Sequence, residues 1–217
     1  WNLSGSVMKL PVRSKECGIN IIRIKMKVYT HYLEEGACFR WRTLLQFGNS
    51  WDIIGSVVMK NPGTAAPKCQ VTDKNTLKLL SFFDNTMYDW FEFSPDSTMN
   101  CVGDLFAYYY DKSNKNDLQG VVQLFNLFYL REGDLGKALE LHKKNKFPFA
   151  SEEEIIQNDI SQLKAPIYLG FAGLAFDKYY ADRAKRFLDA SLMLGMNYLS
   201  PNISENKYVH PQYLMLF

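Results

Sequence analysis

Three short apolar runs constrain this chain more than any other feature: residues 53–59, 121–128 and 166–171. Each is too short for a core helix and shows no polar alternation, so each predicts a strand buried on both faces. Stretches with helical signals separate them. Thr72 or Asp73 caps a helix running to about Phe83, and residues 133–144 form a short helix. Ser151 with Glu154 is a capping-box pattern opening a helix to Lys164. Residues 174–194 carry Phe176, Tyr180, Ala184, Phe187, Leu188 and Ser191 at helical spacing, closed by Gly195. Residues 196–199 read as a fourth strand. Buried strands alternating with helices predict an α/β fold, a three-layer α/β/α arrangement around a mainly parallel central sheet.

The N-terminal part follows a different rule. Residues 1–18 are irregular. From Ile19 the pattern alternates strictly, with Ile22, Ile24, Met26 and Val28 on one side and Arg23, Lys25 and Lys27 on the other. A Glu34-Glu35-Gly36 turn follows, and then Phe39 and Trp41 alternate with Arg40 and Arg42. This period of two predicts an antiparallel hairpin, 19–29 against 38–47, prefixed to the sheet with one apolar and one wet, basic face. Residues 86–119 are polar, aromatic and interrupted by Pro95 and Gly103, and read as an insertion into a single domain spanning 19–217.

Composition excludes several classes. At 217 residues with 47% hydrophobic and 22% charged side chains, the chain buries a real core, which rules out disorder as its main state. Its 25 basic against 23 acidic residues leave a formal charge of +2, so any nucleic-acid role must rest on a local patch. Cys17, Cys38, Cys69 and Cys101 lack C-x-x-C spacing, and His31, His142 and His210 are scattered, so no metal site is expected. Reduced thiols in a cytoplasmic protein are the better reading. No apolar run approaches the roughly 20 residues of a membrane span. The chain opens on Trp1 rather than Met, which leaves its native start and any removed targeting segment open. Gly133-Asp134-Leu135-Gly136-Lys137-Ala138 has Arg131 where a phosphate loop needs its first glycine, and Gly170-Phe171-Ala172-Gly173 lacks the third glycine of a dinucleotide turn. No cofactor is expected.

Ligands of open α/β sheets sit at the carboxyl ends of strands. Two polar turns fall there: Asn61-Pro62-Gly63-Thr64-Ala65 and Asn126-Leu127-Phe128. The tail adds His210-Pro211-Gln212-Tyr213. Gly63 admits close backbone approach, Asn61 offers a donor and an acceptor, and His210 could donate to a developing negative charge. The predicted site therefore has Asn61 and His210 as reacting groups and Pro62, Gly63, Thr64, Asn126, Phe128 and Tyr213 as its ligand-binding wall. Phe128 or Tyr213 would stack on a base. A second surface, Arg23, Lys25, Lys27, Arg40 and Arg42 on the hairpin, would attract phosphate, or else form a solvated face neutralised by Glu34 and Glu35.

Phe39-Arg40-Trp41-Arg42, residues 58–65 and Thr72-Asp73-Lys74-Asn75-Thr76, followed by Asn126-Leu127-Phe128 and His210-Pro211-Gln212-Tyr213-Leu214, resemble the motif series of the domain of unknown function 1643 family. The series covers most of residues 38–214 and adds Asp73 to the expected ligand-binding set. Gly63 stands where that family usually has Ser. More distantly, Asn61-Pro62-Gly63 and His210-Pro211 are similar to motifs of the uracil-DNA glycosylase superfamily. That resemblance implies a glycosylase-like layout in which Asn61 positions water, His210 stabilises the leaving base, and Asn126 with Phe128 reads a flipped base. The expected partner is a nucleotide or nucleic acid, and the expected activity N-glycosidic hydrolysis. The alternatives are a non-catalytic binding protein that keeps the pocket without the chemistry, and an unrelated small-molecule enzyme on the same sheet. Asparagine can orient water but cannot take its proton, so hydrolysis from the Asn61 turn alone would be slow.

Overall fold

A computed structural model describes residues 26–171, 174 and 177–194. The expected strand at 196–199, the Gly195 stop and the first half of the proposed hairpin strand, 19–25, lie outside the described residues.

The chain forms an α/β structure around one seven-stranded sheet. Its strands are β1 (Lys27–Glu35), β2 (Ala37–Phe47), β3 (Ile53–Met59), β4 (Pro67–Gln70), β5 (Trp90–Phe93), β6 (Gly120–Asn126) and β7 (Ile167–Leu169). The helices are α1 (Lys74–Leu80), α2 (Ser97–Tyr109), α3 (Leu135–Lys144), α4 (Glu152–Ser161) and α5 (Ala181–Met193). Strand order is β4-β5-β1-β2-β6-β3-β7. The three apolar runs give β3, β6 and β7, and these pair in parallel, joined by connections long enough to cross over the sheet. The pairings β2–β6, β1–β2, β1–β5 and β4–β5 are antiparallel. The sheet is thus mixed and mostly antiparallel, not mainly parallel as the sequence pattern predicts.

That correction has two sources. Residues 86–119, expected to be an insertion, supply both β5, which pairs with β1, and α2, which covers a sheet face. The hairpin, expected as a prefix, occupies the middle of the sheet, with β5 on its outer side and β6 on its inner side. Its first strand starts at Lys27 and turns through a single residue between Glu35 and Ala37, which oppose one another. Gly36 makes that turn at φ 70°, where a side chain would be strained.

Helices pack on both faces. Val57, Leu45, Val122 and Leu124 meet α2 through Met99, Val102 and Phe106. On the opposite face Phe39, Trp41, Val58 and Phe125 meet α3, α4 and α5, while Leu44 and Val121 meet α1. Because both faces are covered, β2 has no wet side, and Arg40 and Arg42 are 3% and 5% exposed. The expected solvated basic face therefore does not exist at these two arginines. They also part company in direction. The β1–β2 register shifts between Tyr29 and His31, and Arg42 sits at φ 51° in the resulting bulge, so consecutive residues Trp41 and Arg42 both turn toward the α3–α5 face. Thr30 Oγ1 donates to Trp41 O at 2.8 Å beside the bulge.

Local capping explains the helix starts. Ser151 and Glu154 form the reciprocal box expected from sequence, Ser151 N donating to Glu154 Oε2 at 2.8 Å. Asp96 opens α2, its Oδ1 accepting from Met99 N at 2.8 Å. Among the described residues no helix is long and apolar enough to cross a membrane.

Candidate functional site

Parallel strands β3 and β6 end side by side, and the loops that follow them are laced together. Leu127 N donates to Met59 O at 2.9 Å, and Glu132 N to Pro62 O at 3.3 Å. Asn61 Nδ2 donates to Pro62 O at 2.9 Å and Glu132 O at 2.7 Å. Arg131 closes the seam, with Nε on Ala65 O and Nη2 on Thr64 O, each at 2.7 Å. Gly133 is required by this closeness, since a Cβ there would overlap the Thr64 methyl. The seam forms one rim of a cleft of about 240 Å³.

The floor of the cleft is the sheet, presenting Arg40 and Thr43 from β2, Leu124 and Asn126 from β6, and Met59 from β3. The opposite rim is the first turn of α2, Asp96 through Met99. That turn carries the positive end of the helix, and Asp96 Oδ1 accepts from its Met99 N–H. Glu132 completes the loop side; hydrogen bonding to Lys137 holds its carboxyl below the usual range.

Arg40 dominates the electrostatics. Its guanidinium lies over the Phe93 ring at 5.7 Å, and its Nε and Nη1 are buried without a hydrogen-bond partner among the described residues. Burial pulls its pKa down to about 10; nearby Asp96 opposes that fall and Arg131 adds to it. Asp96 acts only at a distance, with its Oδ1 committed to the helix cap. A cation this deeply buried, lining a cleft and with no contacting acid among the described residues, is electrostatically incomplete there.

Of the residues expected from sequence, Asn61, Gly63, Thr64, Asn126 and Arg40 line this one cleft. Pro62 lies in the same loop, with its carbonyl accepting two bonds. The Asn61 amide hydrogens are both spent on carbonyls, so only its Oδ1 is left for a ligand. Asn126 forms no side-chain hydrogen bond among the described residues, although it is 4% exposed. Asp73 is elsewhere: its Oδ2 accepts from Thr76 N at 2.7 Å and caps α1. Phe128 is buried in the α3–α5 core, stacked on His142 with ring centroids 4.6 Å apart. It is not a wall of the cleft, because the chain passes from the cleft side into the core as it leaves β6. Arg42 faces that same core side, and Lys27 is exposed at the start of β1. His210, Tyr213, Arg23 and Lys25 lie outside the described residues.

Asp96, Ser97 and Thr98 are not among the residues the sequence pattern points to, because residues 86–119 read as an insertion. The signal was present in Pro95-Asp96 ahead of a helical run, which is a helix-start pattern. Among the described residues no group of three His, Cys, Asp or Glu side chains is placed to hold a metal ion. The fold and cleft define the molecule as an α/β protein with a polar site at the carboxyl ends of two parallel strands. Comparison with protein-family models, with characterised proteins and with solved structures returns no match.

Proposed function

We propose that the cleft binds a phosphate-bearing nucleotide. The observation that carries this reading is Arg40, a buried guanidinium with no contacting acid among the described residues, which lines the same cleft as the positive end of α2. A phosphate beside them completes the charge balance of Arg40 and lies at the positive end of the helix. The Asn126 amide and Asn61 Oδ1 then read polar groups on the rest of the ligand. The resemblance to the domain of unknown function 1643 family and to glycosylases belongs to this same reading.

The test is calorimetric titration with nucleoside monophosphates, the matching nucleosides and inorganic phosphate. Monophosphates are expected to bind at least tenfold tighter than nucleosides, and Arg40→Met to erase that difference. Equal affinity for nucleoside and nucleotide would overturn the reading.

N-glycosidic hydrolysis is the second reading, and Asp96 favours it. Its Oδ2 makes no capping bond and lies 3.3 Å from where a Cβ on Gly63 would stand. It supplies the carboxylate that the 61–65 turn lacks, able to take a proton from water that Asn61 orients. Abasic-site formation on modified-base oligonucleotides, lost in Asp96→Asn, is the expected result. Binding without abasic sites leaves a recognition protein.

A further inference from the structure

The two carboxylates that line the Arg40 cleft differ in what they have left to give. Glu132 is fully committed: Oε1 accepts from Gly133 N at 2.8 Å and Asp134 N at 3.1 Å, and Oε2 pairs with Lys137 at 2.7 Å. Asp96 is half committed. Its Oδ1 accepts from Met99 N at 2.8 Å, which fixes the carboxylate, while its Oδ2 makes no hydrogen bond among the described residues. That Oδ2 stands 3.3 Å from where a Cβ on Gly63 would lie, and apart from chain neighbours no other described atom comes within 4 Å of that point. The α2 rim and the loop rim approach each other there, and the missing side chain of Gly63 leaves the oxygen uncovered on the loop side. Asn61, two residues earlier in the same turn, supplies a second acceptor. Its Nδ2 donates to Pro62 O and Glu132 O, which fixes the sense of the amide and leaves Oδ1 unspent.

Burial lowers the Arg40 pKa and Asp96 opposes that fall, yet the two groups form no ion pair. The cleft thus holds a cation and a carboxylate oxygen that the fold does not join to each other. Arg40 Nε and Nη1 are sealed from solvent, so Arg40 acts on a ligand through its charge and its Nη2. A ligand that serves both ends carries an anion for Arg40 and hydroxyl donors for the Asp96 and Asn61 oxygens, which is the chemistry of a ribose phosphate. A carboxylate is a common partner of ribose hydroxyls in nucleotide sites. Resting on the phosphate-nucleotide reading of this cleft, we infer that it selects ribonucleotides over deoxyribonucleotides, with Asp96 Oδ2 and Asn61 Oδ1 accepting from the ribose 2′- and 3′-hydroxyls. A 2′-deoxy sugar leaves one of these acceptors covered and unpaired, which is the source of the discrimination.

Calorimetric titration of the whole chain with the common ribonucleoside 5′-monophosphates, their 2′-deoxy counterparts and the matching nucleosides tests it. Each ribonucleotide that binds is expected to bind at least tenfold tighter than its deoxy counterpart. Asp96→Ser keeps a capping oxygen for α2 but withdraws Oδ2, so this ratio should fall to about twofold or less. Removing the Asp96 charge also changes how strongly phosphate is held, but equally for both sugars, so the ratio is the readout. Gly63→Ala sets a methyl against Oδ2 and should lower the same ratio, which keeps the test intact if Asp96→Ser fails to fold. Equal affinity for ribonucleotide and deoxyribonucleotide, or a ratio unchanged in the variants, overturns the inference and leaves the phosphate reading standing. Equal affinity for ribonucleotide and nucleoside, or no monophosphate binding at millimolar concentration, overturns both.

Discussion

Two buried arginines near the end of β6 face opposite fates. Arg183, on α5, donates from Nη2 to Asp159 Oδ2 at 2.8 Å and to Asn126 O at 3.3 Å, and lies over Tyr129 and Phe187. Tyr129 also donates to Asp159, at 2.6 Å. Arg40, on β2 and on the cleft face of the sheet, contacts no acid among the described residues. Both are desolvated, yet only Arg183 has its counter-charge built in. A buried cation balanced by the fold holds helices to a sheet, while the proposed function has Arg40 take its counter-charge from a bound phosphate.

The largest expected effect lies on the balanced side. Asp159→Ala strands Arg183 and the Tyr129 hydroxyl in the core and should cost about 3–5 kcal/mol, read from the urea midpoint. A loss below about 1 kcal/mol would erase the distinction between the two arginines.

The same carboxyl gives a pH signature. Burial, outweighing the pull of Arg183 and Tyr129, pushes Asp159 up to about 6 from its ordinary 3.8. The folded state therefore holds that proton more tightly than the unfolded chain does. The stability this provides is complete below pH 4 and is lost as pH rises through about 6, a change of up to about 3 kcal/mol. The difference in unfolding free energy between wild type and Asp159→Asn should shrink in that direction from pH 4 to 7. A difference flat across this range would show that Asp159 does not titrate there.

Arg40→Met sharpens the contrast from the other side. It removes a charge that the fold does not pair and keeps the contact with Phe93, so stability should hold or rise by about 1–2 kcal/mol. Stabilisation by added nucleoside monophosphate, read as a shift in the thermal midpoint, should vanish in the same variant. A variant that unfolds as readily as Asp159→Ala would make Arg40 a structural residue.

Sequence patterning revealed one half of the sheet and hid the other. Residues 53–59 coincide with β3, and 121–128 and 166–171 overlap β6 and β7, because parallel strands covered on both faces read as unbroken apolar runs. The antiparallel half left no such trace. β5 is four residues long, and β4, Pro67–Gln70, is exposed throughout, so neither shows a period. β2 misled for a different reason. Its alternating arginines signal a wet face, but α2 covers that face and the bulge at Arg42 breaks the alternation. For the candidate site, asparagine and glycine at strand ends pointed to the β3 and β6 loops, and Asn61, Gly63 and Asn126 line one cleft. Its far rim stayed hidden, since nothing local to Asp96 says that α2 folds back over the sheet.

The smallest expected effect concerns the seam that holds the cleft open on its loop side. Gly133 meets Thr64 so closely that a methyl at its Cβ position overlaps Thr64 Cγ2, while the Thr64 Cβ stands clear at 3.8 Å. The obstruction is therefore one methyl group on an exposed side chain. Gly133→Ala should cost about 1 kcal/mol, at the low end for overpacking because a loop can yield. Thr64→Ser removes the methyl and keeps the hydroxyl, so the double variant Gly133→Ala/Thr64→Ser should recover most of that loss. The coupling is read from a double-mutant cycle on unfolding free energies. The bonds that Arg131 donates to Thr64 O and Ala65 O are accepted by backbone carbonyls and survive either change. If Gly133→Ala costs nothing, or if Thr64→Ser fails to rescue it, the two loops are not held at contact, and the cleft rim is looser than the Arg183 side by more than its missing counter-charge.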